Sequence, residues 1–122
     1  MEQSENPASS LPVSPLFAAL SDPSRLAIVE RLICEGEKTA GELAQPFDVS
    51  APAISRHLGV LERAGMIERR VDRQWRKFRV RRDALAAIDD WVSRQRRFWE
   101  TSFDRLDRLI ADDTGKGGDD ER

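Results

Sequence analysis

Between Val49 and Gly65 the chain reads VSAPAISRHLGVLERAG, and Ser50, Pro52, Ala53, Ser55, Arg56 and His57 in it have types and spacing suited to a polyanion. Small residues let a helix backbone lie close to a groove, and an arginine fork reaches a guanine edge or a phosphate. A plain amphipathic surface helix more often carries Glu and Lys in these places. The element that presents them is marked at both ends. Ser50 is a good N-cap and Pro52 falls in the first turn, where a missing N–H is harmless. Ile54, Leu58, Leu61 and Ala64 make a core-facing stripe, and Gly65 supplies a left-handed stop.

Catalytic chemistry has little to assemble from. The chain holds one histidine and one cysteine, with no G-x-S-x-G, no phosphate-cradling glycine loop and no paired metal ligands. The expectation is a non-enzyme with no catalytic residues, no cofactor and no metal site.

A length of 122 residues suits one domain with a modest core. The formal net charge of −2 argues against a polyanionic partner until its distribution is read. Arg69, Arg70, Arg73, Arg76, Lys77, Arg79, Arg81 and Arg82 stand against the single acid Asp72, so this run is net +7 and the rest of the chain −9. A local patch governs nucleic-acid binding more than the total does. The lone Cys34 excludes an intramolecular disulfide and fits a reducing compartment. No apolar run approaches the roughly 18 residues of a membrane span, and the polar N-terminus lacks the order of a secretory signal. These features predict a cytoplasmic protein with no membrane partner.

Residues 1–14 are rich in Ser, Pro, Asn and Glu and read as a disordered arm. LFAAL over Leu16–Leu20 is a short apolar helical turn. Asp22-Pro23 opens a second helix, with Leu26, Val29 and Ile33 beside Ile28 and Leu32 on a broad buried face, ending near Gly36. Thr39-Ala40-Gly41-Glu42 is a capping box for a short helix that Pro46 stops. Pro46-Phe47-Asp48-Val49 then joins it to the Ser50–Ala64 helix at helix–turn–helix spacing. After Gly65 the period changes, and residues 66–71 and 75–80 form a hairpin with a basic tip at Asp72-Arg73-Gln74. Ile67, Val71, Phe78 and Val80 are expected to face the core. A long helix runs from Asp83 to about Ala111. Its Leu85, Ile88, Val92, Trp99, Leu106 and Ile110 repeat at helical spacing, widened by Trp91, Phe98 and Phe103. Such an apolar stripe calls for a partner helix. Residues 112–122 read as a disordered tail, leaving residues 15–111 as the folded domain.

This order of elements is a winged helix–turn–helix, mostly α with a small β-hairpin. The stretches LFAALSDPSRLAIVERL, ELAQPFDVSAPAISRHLGVLERAGMIERR and WRKFRV also resemble the ArsR-type transcriptional regulators, over about Leu16 to Val80. The RRFWE segment at Arg96–Glu100 resembles a subgroup of them. The resemblance implies a homodimer built on its terminal helices, with Leu16, Phe17, Trp91, Phe98, Trp99, Phe103 and Leu106 at the interface. It implies double-stranded DNA with dyad symmetry as partner, often in the chain's own promoter. Two features depart from the family pattern. Metal-sensing members carry a Cys-x-Cys site or Asp/His ligands on the last helix, whereas Gly41–Gln45 here has no Cys and the last helix has Asp89 and Asp90 but no His. Wing tips in the family often carry Gly, where this chain has Asp72-Arg73-Gln74.

Ser50, Pro52, Ala53, Ser55 and Arg56 are therefore expected to read sequence, and Arg73, Gln74 and Arg76 to contact DNA from the wing. His57 either contacts phosphate or fills space beside Leu58. The remaining arginines of the run pair with acids such as Asp89 and Asp90 or are solvated. Cys34, on an apolar helix face with no basic neighbour, reads as a buried thiol. Two rivals stay open: a winged-helix module that docks proteins rather than DNA, and a DNA-binding thiol sensor using Cys34. A small-molecule effector is not identifiable from the residues.

Overall fold

The computed structural model describes residues 11–45 and 49–117, with side chains as far as Asp112. The expected arm over residues 1–10, the turn residues Pro46-Phe47-Asp48 and the tail beyond residue 117 lie outside the described residues. The chain forms two compact units that divide between Asp89 and Asp90.

In the first unit, α1 (Val13–Leu20) starts within the stretch expected to be an arm, because Leu11 and Val13 pack on the core. Its last carbonyls are capped from outside, with Arg25 Nε donating to Ala19 O at 2.7 Å. α2 (Pro23–Glu35) starts as expected, with the Asp22 carboxylate accepting from the Arg25 amide at 3.0 Å. It ends at Gly36, whose φ of 88° admits no ordinary side chain without strain. α3 (Ala40–Ala44) carries the capping box: Glu42 N donates to Thr39 Oγ1 at 3.2 Å and Thr39 N to Glu42 Oε1 at 2.8 Å. α4 (Ala51–Ala64) is opened by Ser50 and closed by Gly65, at φ 88° and ψ 10°.

The hairpin is β2 (Ile67–Asp72) and β3 (Trp75–Val80), in the register Ile67↔Val80 through Asp72↔Trp75. A third strand, β1 (Lys38–Thr39), pairs with β3 at Phe78 and Lys77, so the sheet has the order β1-β3-β2. Two residues are too few for an alternating pattern to be visible in sequence, which is why only a two-stranded hairpin was expected.

The core is Leu16, Ala19, Ile28, Val29, Leu32, Leu43, Ile54, Leu58, Leu61, Met66, Ile67, Phe78, Ala84 and Ala87, each under a tenth exposed. It corrects several expectations. Leu16, at 0% exposure, belongs to the chain's own core, against its expected place at a dimer interface. Leu26 and Ile33 stay exposed while Ile28, Val29 and Leu32 are buried, so the apolar face of α2 is narrower than its composition suggests. Cys34 is exposed, not buried. Val71 lies on the same strand face as Ile67 but four pairs nearer the tip, past the end of the core, and is 64% exposed.

α5 (Arg82–Gly117) is 36 residues long, beginning at Arg82 and running past the expected stop at Ala111. Within the first unit it buries Ala84 and Ala87 and packs Ile88 on the core, while Leu85 is exposed. Small alanines allow close helix approach, a signal that a search for large apolar residues overlooks. In the second unit Phe98, Trp99, Phe103, Leu106 and Leu109 are all exposed, and α5 is studded with charge between them.

Candidate nucleic-acid interface

α4 holds its core stripe inward, with Ile54, Leu58 and Leu61 at 2% exposure or less. The helical period then forces Pro52, Ser55 and Arg56 outward, and all three are exposed. Ala53 and His57 are half-buried. Ser50 is exposed, but its hydroxyl oxygen accepts the Ala53 amide at 3.2 Å, so this side chain is engaged as the cap. His57 turns toward the start of α2, its Nδ1 4.0 Å from Asp22 Oδ2. The Asp22 carboxyl is held below its ordinary range chiefly by the Arg25 amide, with His57 a smaller contributor. His57 thus links the outward-facing helix to the N-terminus of α2.

The wing tip is a two-residue turn, Arg73-Gln74, between the paired Asp72 and Trp75. Arg73 has φ 62°, the left-handed region where glycine would be free of strain, so the expected departure from a Gly-bearing tip has a backbone consequence. Arg73, Gln74, Trp75 and Arg76 are exposed.

The basic run is far less uniform in space than in sequence. Arg69 donates to Glu62 through Nε and Nη2 at 3.1 and 2.9 Å, and its guanidinium carbon lies 5.7 Å from the Phe78 ring centre. Arg70 binds Glu37 through two nitrogens, and Arg79 bridges Glu68 and Glu37. Lys77 pairs with Asp72, and Arg81 with Asp83. The partners are therefore Glu37, Glu62, Glu68, Asp72 and Asp83, not the expected Asp89 and Asp90. Asp90 pairs instead with Arg94. Within the run, only Arg73, Arg76 and Arg82 have no ion pair among the described residues. Two of these three sit at the wing tip. Glu37, which no reading of the run singled out, is held down to about 2 mainly by Arg70.

Ser55 of α4 and Arg76 of β3, distant in sequence, line one notch of about 200 Å³ between helix and wing. Its other walls are Ala40, Leu58, Gly59, Glu62, Arg69 and Phe78. Among the described residues no three His, Cys, Asp or Glu side chains converge as a metal site, and no helix is long and apolar enough to cross a membrane.

Comparison with known proteins gives this arrangement a family. A family model described as a helix-turn-helix domain matches residues 20–70. The transcriptional repressor SdpR of Bacillus subtilis is 44% identical over 52 residues, 43% of this chain and 57% of that protein. This chain thus spans little more than half of that relative. The HTH-type transcriptional regulator Rv2034 of Mycobacterium tuberculosis is 38% identical over 101 residues, covering 80% of this chain and 91% of that one. The crystal structure of an ArsR family transcriptional regulator superposes with a TM-score of 0.66 at 33% identity, over 72% of this chain and 96% of the other. With this fold, this outward helix and this wing, the chain belongs to the ArsR family of winged helix–turn–helix transcriptional regulators.

Proposed function

We propose that this chain is a sequence-specific DNA-binding repressor acting as a homodimer in the cytoplasm. The observation that carries the reading is the selective pairing of arginines. Five of the eight basic residues in the run are neutralised by acids, while Arg73 and Arg76 at the wing tip are left for a partner. Arg56, on the outer face of α4, likewise has no ion pair among the described residues. A protein-docking module has no need of unbalanced guanidinium groups on both a helix face and a hairpin tip. A duplex supplies phosphates to both at once.

In the dimer, two copies of α4 enter successive major grooves about 34–36 Å apart on a dyad-symmetric operator. Arg56, Pro52 and Ala53 lie against base edges, and Arg73, Gln74 and Arg76 meet the flanking backbone. Ser50 contributes by fixing the start of α4. The exposed Trp91, Phe98, Trp99, Phe103 and Leu106 of α5 form a dimer face, and Phe17 of α1 serves association separately. The relatives named as repressors support repression as the outcome.

The test is electrophoretic mobility shift on duplex DNA from upstream of the chain's own gene, with sedimentation of the free protein. A shifted complex of one duplex with two chains supports the reading. A monomer that retards no duplex at low ionic strength overturns it.

A further inference from the structure

The notch between α4 and β3 has a charge balance that points to its occupant. Its floor is apolar, made by Leu58, Gly59 and Phe78. One wall is the Glu62–Arg69 pair, whose two hydrogen bonds at 3.1 and 2.9 Å cancel the charge of that guanidinium. Glu62 and Arg69 therefore add no net charge, and Arg76 is the one unbalanced charge among the lining residues. Ser55 adds a hydroxyl from α4, and among the described residues this side chain has no hydrogen-bond partner.

We infer that this notch seats one phosphate of the duplex backbone, held between the Arg76 guanidinium and the Ser55 hydroxyl. The inference rests on the DNA-binding reading above and sharpens it. One cation and one hydroxyl over an apolar floor match a phosphodiester oxygen with its sugar more closely than a base edge. A volume of about 200 Å³ suits a group of that size and not a stacked base pair. Ser55 thereby moves from reader to backbone anchor, and helix and wing clamp the same strand. Arg76 also differs from Arg73: it acts inside the notch, whereas Arg73 reaches out from the turn.

The experiment uses the full chain and a duplex recovered from a random-sequence pool, with single phosphates replaced one at a time by neutral methylphosphonate. In wild type, one replacement per half-site weakens binding more than its neighbours. In Arg76→Ala that position becomes insensitive, and the slope of log K against log salt falls by about 1. Ser55→Ala lowers affinity without changing base preference and adds little in the Arg76→Ala background. Glu62→Gln releases Arg69 into the notch and raises the salt slope. Inorganic phosphate at constant ionic strength leaves duplex affinity unchanged.

Three results overturn the inference while leaving DNA binding intact: Arg76→Ala as sensitive as wild type at every neutralised phosphate, a shift of base preference in Ser55→Ala, or displacement of the duplex by inorganic phosphate. The last would assign the notch to a free anion. Failure to recover any duplex would overturn the DNA-binding reading itself, and this inference with it.

Discussion

Arg70 of β2 grips the carboxylate of Glu37, just ahead of β1, through two nitrogens, with Nε at 2.9 Å from Oε2. The contact joins β2 to the approach of β1 across the central β3, and Arg79 of β3 adds a third nitrogen at 3.4 Å. It fixes the outer face of the wing.

This pairing sets an acid sensitivity. Glu37 is held at about 2 in the folded chain against an ordinary 4.5, so the folded state binds its proton less readily than the unfolded one. Its contribution to stability is present above pH 4.5 and is lost as pH falls toward 2. Glu37→Gln should lower the melting temperature at pH 7 and differ little from wild type near pH 2. A gap between the two proteins that widens on acidification would contradict the assignment.

Leu16 and Phe17 are adjacent, yet only Leu16 is core, at 0% exposure against 37% for Phe17. Leu16→Ala should cost about 2–5 kcal/mol of folding stability by denaturant titration. Phe17→Ala should cost much less stability and act instead on the association constant. Equal losses of folding stability in the two variants would put both side chains in one environment.

Arg73 offers a test in which stability and binding move in opposite directions. Its φ of 62° costs a non-glycine residue roughly 1–2 kcal/mol. Arg73→Gly should therefore hold or raise the melting temperature, since glycine's own backbone entropy offsets part of the relief. It should also weaken binding to all duplexes alike and lower the salt slope by about 1. Unchanged affinity would remove the turn from the interface.

The aromatic face of α5 predicts self-association. Phe103→Arg or Trp99→Glu places charge among Phe98, Trp99, Phe103 and Leu106 and should shift the chain to monomer in sedimentation equilibrium. Loss of dimer should also steepen the dependence of operator binding on protein concentration. A variant that remains a dimer would move the interface elsewhere.

Much of this architecture was legible in the residues because local signals and burial agreed. Asp22-Pro23, the Thr39/Glu42 box, and Ser50 with Gly65 each mark a helix end through a hydrogen bond made within a few residues, and each is found in place. What escaped depends on distance in sequence. The strand at Lys38–Thr39 exists only because Phe78 and Lys77 lie beside it. The fate of the basic run was hidden for the same reason: Glu37 lies 33 residues from Arg70. Exposure of Val71 and Cys34 depends on where the core ends, which periodicity cannot mark. The outward set Pro52, Ser55 and Arg56 followed from the helical period alone, whereas the shared notch of Ser55 and Arg76 required the fold.

Base readout by Arg56 is tested by selecting duplexes from a random pool with wild type and with Arg56→Ala, side by side. Wild type should enrich a site of two related half-sites. Arg56→Ala should bind that site more weakly by roughly 1–3 kcal/mol and lose preference at one base pair of each half-site. A wild-type pool without enrichment, or an Arg56→Ala pool with the same site at the same affinity, would contradict it.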